Sequence, residues 1–293
     1  MDLSIIIPVR NGKAHLERCL PSLFAQEAPP SFEVILVDND SRDGTRSWVQ
    51  DTYPTLCLIA QEKNSGFARA VNRGLRVAQG RYLLCLNQDT WLFPEALATL
   101  VDFMDRTHEA GIVGGKIFNP DHSLQFSCRT FPTLSQGLFH RGSLLTRLSP
   151  KNRFSRNYLL SDWPHDEVRS VDWVSGAFLL IRRETFEEIG PLDERFFLYC
   201  EDVDWCRRAK EAGWQVLYYP KSRILHSGGL SYSSLRALFE HHRSMWRYYL
   251  KYLKRDSRLG ALFLIGISLR FLSLCPTVFF QHYGRRSRSL QHP

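Results

Sequence analysis

The segment Phe196-Phe197-Leu198-Tyr199-Cys200-Glu201-Asp202-Val203-Asp204-Trp205-Cys206-Arg207-Arg208 sets three carboxylates within four positions, behind three aromatic rings and ahead of a basic turn. A helix starting near Glu201 puts Glu201 and Asp204 on one edge, and turns Asp202 onto a neighbouring face over Cys206. Like charge and desolvation among bulky aromatic side chains raise the pKa of a carboxyl group, which is the condition for a general base working near neutral pH. The competing account is a helix N-terminus whose acids complement the dipole. Spacing alone does not choose between them.

Such acids need elements to position them. Leu3 to Val9 is apolar and β-branched and predicts a buried strand, as do Val34-Ile35-Leu36-Val37, Leu56 to Ala60 and Leu83-Leu84-Cys85-Leu86. The spacing of Leu16, Cys19, Leu20, Leu23 and Phe24 predicts a helix after the Asn11-Gly12 turn. Further helices are expected after Asp43-Gly44, after Asn64-Ser65-Gly66, and from Pro94 through Met104. The second strand runs into Asp38-Asn39-Asp40-Ser41 and the fourth into Asn87-Gln88-Asp89-Thr90. Carboxylates at the carboxyl ends of parallel strands stand where open α/β sheets bind ligands. A glycine-containing helix start between them suits a phosphate. Strand, acidic tip and helix thus recur, and predict a nucleotide-binding α/β half.

Beyond it, Ile112 to Gly115 predicts a strand edge and Val171 to Ile181 a strand carrying Gly176. Glu184 to Ile189 predicts a short helix, and Trp214 to Tyr219 a strand ended by Pro220. His226-Ser227-Gly228-Gly229 follows in a loop. Residues 119–170 show little period and are expected to form an irregular insertion.

At 293 residues and 44% hydrophobic, the chain has material for one large α/β domain and an appendage. Its formal charge of +8 invites an anionic partner. Seven cysteines without a CxxC spacing argue against a disulfide framework or a zinc site and fit a reducing cytoplasm. Asp2 leads directly into Ser4-Ile5-Ile6-Ile7 with no basic n-region, so no secretory signal is expected.

Six stretches in order resemble those of the inverting family 2 glycosyltransferases with the GT-A fold, most closely the rhamnosyltransferase-like branch that builds bacterial cell-surface polysaccharides. They are Ser4 to Asn11, Val37 to Thr45, Asn64 to Gly74, Leu86-Asn87-Gln88-Asp89, Val171 to Arg183, and Gly190 through His226 with its Ser-Gly-Gly. The resemblance covers residues 3–230. It implies an α/β fold with a Rossmann-like, mostly parallel central sheet flanked by helices. The catalytic domain would span 1–230, with a nucleotide-binding half at 1–115 and an acceptor half at 116–230.

The resemblance also implies roles. Pro8, Arg10, Asp38 and Asp40 map onto the nucleotide pocket, an Asp carboxylate accepting the imino N–H of the base. Asn64, Gly66, Arg69 and Asn72 would line the nucleotide and diphosphate, although Arg69 and Asn72 also suit a solvated helix face. Asn87-Gln88-Asp89 stands at the DxD-type metal motif with Asn87 in place of the first acid. Asp89 alone then offers a carboxylate to Mg²⁺ or Mn²⁺, which also takes substrate phosphates. His226 matches a histidine that completes the metal shell in relatives, or is a loop histidine satisfied by backbone. Asp202 matches the base and Glu201 a positioning group, with the exchanged assignment open. Asp204 is a supporting residue. Trp173, Ser175 and Gly176 sit where acceptor or donor sugar would pass, Trp173 as a sugar platform or as core.

After residue 230, Leu235, Leu238, Phe239, Met245, Trp246, Tyr249, Leu250 and Leu253 keep a helical period. Leu259 to Phe280 is then 22 mostly apolar residues, long enough to span a bilayer. Arg270 at its middle would cost about 2.5–3.5 kcal/mol there, and Pro276 is expected to break its last third. Lys254, Arg255 and Arg258 precede it and Arg285, Arg286 and Arg288 follow. An amphipathic helical extension at 231–293, lying in the cytoplasmic interface, is the expectation, with a true membrane span or a dimer or core helix as the alternatives. The expectation is a cytoplasmic, membrane-peripheral glycosyltransferase. It would move a sugar such as rhamnose from a dTDP or UDP donor to a lipid-linked saccharide acceptor, with no nucleic acid involved. A nucleotidyltransferase of the same nucleotide-binding half, or a non-catalytic nucleotide-sugar-binding scaffold consistent with Asn87, are the alternatives.

Overall fold

The computed structural model describes residues 1–133, 153–228, 234–253 and 257–289. Strand β1 (Leu3–Val9) serves both faces of a sheet. Leu3, Ile5, Ile7 and Val9 join one buried cluster and Ile6 the other. Two-sided burial is why the run is apolar throughout rather than alternating. Around it wind α1 (Lys13–Phe24), β2 (Phe32–Asn39), α2 (Thr45–Thr52), β3 (Cys57–Gln61), α3 (Phe67–Leu75) and β4 (Tyr82–Leu86). β2 and β4 pair in parallel with β1 on either side, and β3 pairs in parallel outside β2. The chain therefore reverses its direction of travel across the sheet between β1 and β4. That switch point opens a crevice at the carboxyl ends of the strands.

The second half adds β5 (Thr90–Leu92), α4 (Ala96–Arg106), β6 (Ala110–Phe118), β7 (Leu124–Gln125), β8 (Cys128–Arg129), α5 (Arg153–Leu159), β9 (Arg169–Ser170) and β10 (Trp173–Val174). It continues with β11 (Phe178–Arg182), α6 (Arg183–Ile189), α7 (Glu201–Glu211) and β12 (Gln215–His226). The main sheet runs β3-β2-β1-β4-β11-β6-β12-β5, with β7 on β6 and β9 on β12; β10 and β8 form a separate ribbon. β11 is antiparallel to β4 and β6, whereas β12 is parallel to β6. Leucines of α1 and α4 fill one face, and α3 and α7 cover the other.

Two strands differ from expectation. Val171 to Ile181 is not continuous: the chain leaves the ladder at Ser175-Gly176-Ala177, where the Ser175 N–H donates to the Ser127 carbonyl at 2.8 Å and the Gly176 N–H turns to Asp202. The strand expected to stop at Pro220 runs on to His226. Proline cannot donate to a ladder, so it is accommodated in a bulge where the register against β6 shifts between Tyr219 and Arg223. His226 is thus the last residue of a strand, opposite Thr90.

Helix α8 (Leu235–Tyr248) is capped by Ser234, whose hydroxyl accepts the Ala237 N–H, and passes into a π-helical turn at Tyr249–Leu253. Helix α9 (Ser257–Ser289) then runs unbroken through Pro276. Pro276 and Leu272, whose carbonyl loses its helical partner, are both exposed, which makes the interruption tolerable. Phe263 stacks on Tyr249 with centroids 4.7 Å apart, and Phe271 meets His242 edge-on, so α9 is laid along α8. Its outer face carries exposed Leu262, Ile265, Leu269 and Leu272. Arg258–Phe279 is long and apolar enough to cross a membrane by length and composition. The expected domain boundary near residue 230 and the basic pair Lys254-Arg255 fall outside the described residues.

One buried carboxylate ties this extension to the sheet domain. Asp204 has no solvent exposure. It accepts hydrogen bonds from Arg208 Nε at 2.9 Å and the Tyr252 hydroxyl at 2.7 Å, and from the Lys251 ammonium group. Asp204→Ala should strand two partly buried cations and cost about 3–5 kcal/mol. Urea unfolding should show this as a lower midpoint with an unchanged slope.

Candidate active site

The carboxyl ends of β4 and β12, the β10–β11 turn and the first turn of α7 surround a cavity of about 650 Å³. Asn87, Asp89, Trp173, Ser175, Gly176, Glu201, Asp202 and His226 all line it. Helices α8 and α9 close its far side with His241, Met245, Phe263 and Arg270.

Tyr199 and Cys200, immediately before α7, both adopt left-handed backbone with φ of 68°. This conformation costs a non-glycine residue roughly 1–2 kcal/mol, and here it turns the chain so that the helix opens into the cavity. Asp202 Oδ2 accepts the Gly176 N–H at 3.0 Å and Oδ1 the Val203 N–H at 2.8 Å. Burial pushes the Asp202 carboxyl up, against the pull of those two N–H groups and of the Arg129 guanidinium. Glu201 is pushed well above the usual carboxylate range by burial and by the charge of Asp202. Its buried Oε2 has no hydrogen-bond partner among the described residues. The donors thus favour the negative charge on Asp202 and the proton on Glu201.

Opposite this pair, His226 Nε2 lies 3.3 Å from Asp89 Oδ1 and 3.3 Å from Asn87 Nδ2. Gln125 donates from Nε2 to Asn119, which leaves its Oε1 to accept from His226 Nδ1 at 2.8 Å. In the neutral ring this fixes the proton on Nδ1 and turns the Nε2 lone pair towards Asp89. A carboxylate oxygen and an imidazole nitrogen at that separation match neighbouring ligands of an octahedral divalent cation with bonds of about 2.1 Å. Burial alone would raise the Asp89 carboxyl, but a His226 ring that also carries a proton on Nε2 donates to it and holds it below the ordinary value. Gly228 closes over the pair, and a Cβ there would lie 2.6 Å from Asp89 Oδ2 and 2.7 Å from His226 Nε2. The donor set therefore fits Mg²⁺ or Mn²⁺, with two protein ligands and the remaining positions open to substrate. Among the described residues no group of three or more His, Cys, Asp or Glu converges on a metal position.

The other expected residues lie outside this cavity lining. Asp38, at the end of β2, is buried; Arg46 and the Ser41 N–H hold Oδ2, while Oδ1 has no partner among the described residues. Asp40 has φ of 68° and faces Arg42 at 3.7 Å. Pro8 lies within β1, and the Arg10 N–H donates to Gln88 Oε1 at 2.8 Å, tying the β1 tip to the Asn87-Gln88-Asp89 turn. Asn64 is bonded to Asn39 and to the Gly66 N–H. Gly66, with φ of 90°, packs so tightly that a Cβ would stand 2.5 Å from the Phe197 carbonyl oxygen. Arg69 extends from α3 to Glu194 at 3.2 Å. Asn72 is buried and braces the Leu192 backbone from both sides. Asp204 serves the ion cluster behind α7. Trp173, which lines the cavity, is only 7% exposed, and its indole N–H donates to the Thr130 carbonyl.

Arg129, Gln125 and the side chains of α8 and α9 were missed by sequence reasoning. Arg129 and Gln125 lie on two-residue strands too short to show a period, and the helices enter the cavity only through tertiary packing.

The model of glycosyl transferase family 2 matches residues 4–190. An N-acetylglucosaminyl-diphospho-decaprenol L-rhamnosyltransferase of Mycobacterium tuberculosis is 34% identical over 83% of this chain and 82% of its own length. Rhamnosyltransferase WbbL of Escherichia coli K12 is 30% identical over 53% of this chain and 56% of its own. Among solved structures, the mannosyltransferase PcManGT from Pyrobaculum calidifontis, in complex with GDP-Man and Mn²⁺, superposes with a TM-score of 0.59. It is 18% identical over 99% of this chain and 81% of that one.

A buried acid whose folded pKa is raised lends stability that is complete below its unfolded pKa and lost as pH rises through the folded one. Glu201 should impose such a loss. Glu201→Gln should raise Tm at neutral pH by roughly 2–4 °C, the shift for about 1 kcal/mol in a domain of this size. The two proteins should converge in acid, and thermal unfolding across pH checks the sign.

Proposed function

The chain belongs to glycosyl transferase family 2, in its rhamnosyltransferase-like branch, and from that premise we propose that it transfers rhamnose with inversion from a dTDP- or UDP-linked donor to a hydroxyl of a lipid-linked saccharide during polysaccharide synthesis. The observation that carries the reading is one cavity holding a desolvated Asp202–Glu201 pair opposite the Asp89–His226 donor pair. Asp202 takes the proton of the acceptor hydroxyl as its oxygen attacks the anomeric carbon. Attack comes from the face opposite the nucleoside diphosphate, so the configuration inverts in one displacement. Glu201, protonated beside it, keeps a second negative charge out of the site.

Asp89 and His226 would hold Mg²⁺ or Mn²⁺, which supplies Lewis-acid stabilisation of the diphosphate leaving group. Asp38 Oδ1, without a hydrogen-bond partner among the described residues, offers the base an acceptor for its imino N–H. The reading of the acceptor as lipid-linked is supported by the name of the mycobacterial relative, and that of a divalent metal by the Mn²⁺ in the mannosyltransferase complex. Helix α9, apolar outside and joined to α8 inside, would rest in the cytoplasmic membrane interface.

Asp202→Asn should lower transfer about 10²–10⁴-fold while calorimetry finds nucleotide affinity kept; unchanged turnover would remove Asp202 from the role. In the wild type, kcat/KM should fall as pH drops through the raised Asp202 value, since only the carboxylate accepts the proton. Titration with dTDP, UDP and GDP should give Mn²⁺-dependent binding of one of them. Binding indifferent to Mn²⁺ would demote Asp89 and His226, and absence of binding would end the nucleotide-sugar reading.

A further inference from the structure

His226 meets two neighbours that pull its proton in opposite directions. Asp89 Oδ1, an acceptor 3.3 Å from Nε2, favours a proton on that nitrogen. Gln125 Oε1, 2.8 Å from Nδ1, favours a proton on the other. A neutral ring protonated on Nε2 donates to Asp89 and has no lone pair on that side for a cation. Protonated on Nδ1, it turns the Nε2 lone pair to Asp89 instead. The outcome depends on whether the Gln125 amide is free to turn over. Reversed, its NH₂ would face Nδ1, demand a lone pair there and send the proton to Nε2.

The surroundings of Gln125 oppose that reversal. Its Nε2 donates to Asn119 Oδ1 at 2.8 Å and to the Gly228 carbonyl at 3.2 Å. A backbone carbonyl only accepts, so a reversed amide would set two oxygens against each other. Asn119 is oriented in its turn. Its Nδ2 donates to Ser123 Oγ at 2.8 Å, and the Ser123 hydroxyl donates to Asp121 Oδ1 at 2.6 Å. Because the row ends on a carboxylate, every donor in it points the same way, from His226 through Gln125, Asn119 and Ser123 to Asp121. At the far side of the ring, Asn87 Nδ2 lies 3.3 Å from His226 Nε2 and finds an acceptor there only in the tautomer protonated on Nδ1. The row is carried by one hairpin, in which Gln125 of β7 pairs with Ile117 of β6.

We propose that Gln125 is a positioning residue. Backed by Asn119, Ser123 and Asp121, its amide oxygen holds neutral His226 in the tautomer whose Nε2 lone pair faces Asp89. That tautomer is the one able to ligate a divalent cation, and this consequence rests on the transferase reading. The amide row thereby decides against Asp89, which by itself would draw the proton to Nε2 and close the position.

The test has two readouts on the full chain, each independent of turnover. Long-range ¹H–¹⁵N spectra of the metal-free protein, recorded near pH ~8.5 where an ordinary imidazole is neutral, show which ring nitrogen carries the proton. The His226 signals are identified by their loss in His226→Gln. Mn²⁺ binding is followed by electron paramagnetic resonance, alone and with dTDP or UDP. The wild type should carry the proton on Nδ1. Gln125→Leu should move it to Nε2 and weaken Mn²⁺ about 10–100-fold, the usual cost of losing the partner that orients a ligating histidine. Gln125→Glu, which restores an acceptor at Nδ1, should keep the proton there and recover most of the affinity, which separates the effect from a folding defect. Asn119→Ala should shift both readouts in the same direction as Gln125→Leu, by less. A wild-type ring protonated on Nε2 overturns the proposal. So does a Gln125→Leu protein that keeps the proton on Nδ1, or one that binds Mn²⁺ as the wild type does. If the proton moves as expected but the wild type takes no Mn²⁺ with or without nucleotide, the positioning role stands and the metal of the transferase reading fails.

Discussion

The arrangement of the active cavity depends on a carboxylate that never meets solvent. Asp204 lies behind the first turn of α7, where Arg208 of the same helix and Lys251 and Tyr252 of the following extension converge on it. A buried charge of this kind is tolerated only when its partners are all in place. The contact therefore fixes α7 and the π-helical turn after α8 as a unit. Fixing that unit determines two walls of the cavity at once, the one bearing Glu201 and Asp202 and the one bearing Met245, Phe263 and Arg270. The extension is part of the site's wall as well as an appendage to the domain.

The Glu201–Asp202 pair is held by backbone. Gly176 leaves its strand to donate to Asp202, and two consecutive left-handed residues aim the start of α7 at the same point. Both features give up regular structure locally, a broken ladder on one side and backbone strain on the other. Such concessions gather where geometry serves a ligand more than the fold. The unequal supply of donors then separates two adjacent carboxyl groups. Asp202, with two N–H groups and a nearby guanidinium, keeps the charge, and Glu201 keeps the proton.

Charged side chains of both signs line the cavity. The Asp89–His226 pair, the Glu201–Asp202 pair and the guanidinium groups of Arg129 and Arg270 all reach it. The helix that contributes Arg270 also presents exposed Leu262, Ile265, Leu269 and Leu272. An exposed apolar face and a cavity-lining face are thus carried by opposite sides of one element.

The sequence by itself determined the parts governed by local pattern. Two-sided burial makes parallel strands apolar in runs, so β1, β2 and β4 were legible, and with them the acidic tips at Asp38 and Asp89; motif order supplied the family and the GT-A fold. Asp202 and Glu201 were legible because three acids behind aromatic residues are conspicuous at any spacing. What periodicity could not carry was decided by tertiary contact. Pro220 sits within β12 because a bulge absorbs its missing N–H, and Gly176 leaves its strand because Asp202 needs a donor. Asp204, Asn72 and Gly66 look like site residues in the chain, but packing against Lys251, Leu192 and Phe197 gives them structural work. Arg129 carries no local signal on its two-residue strand, and Arg270 is conspicuous in the sequence only as a charge inside an apolar stretch. Only the folded chain brings them to one cavity, because the β8 ribbon and α9 meet there through tertiary packing.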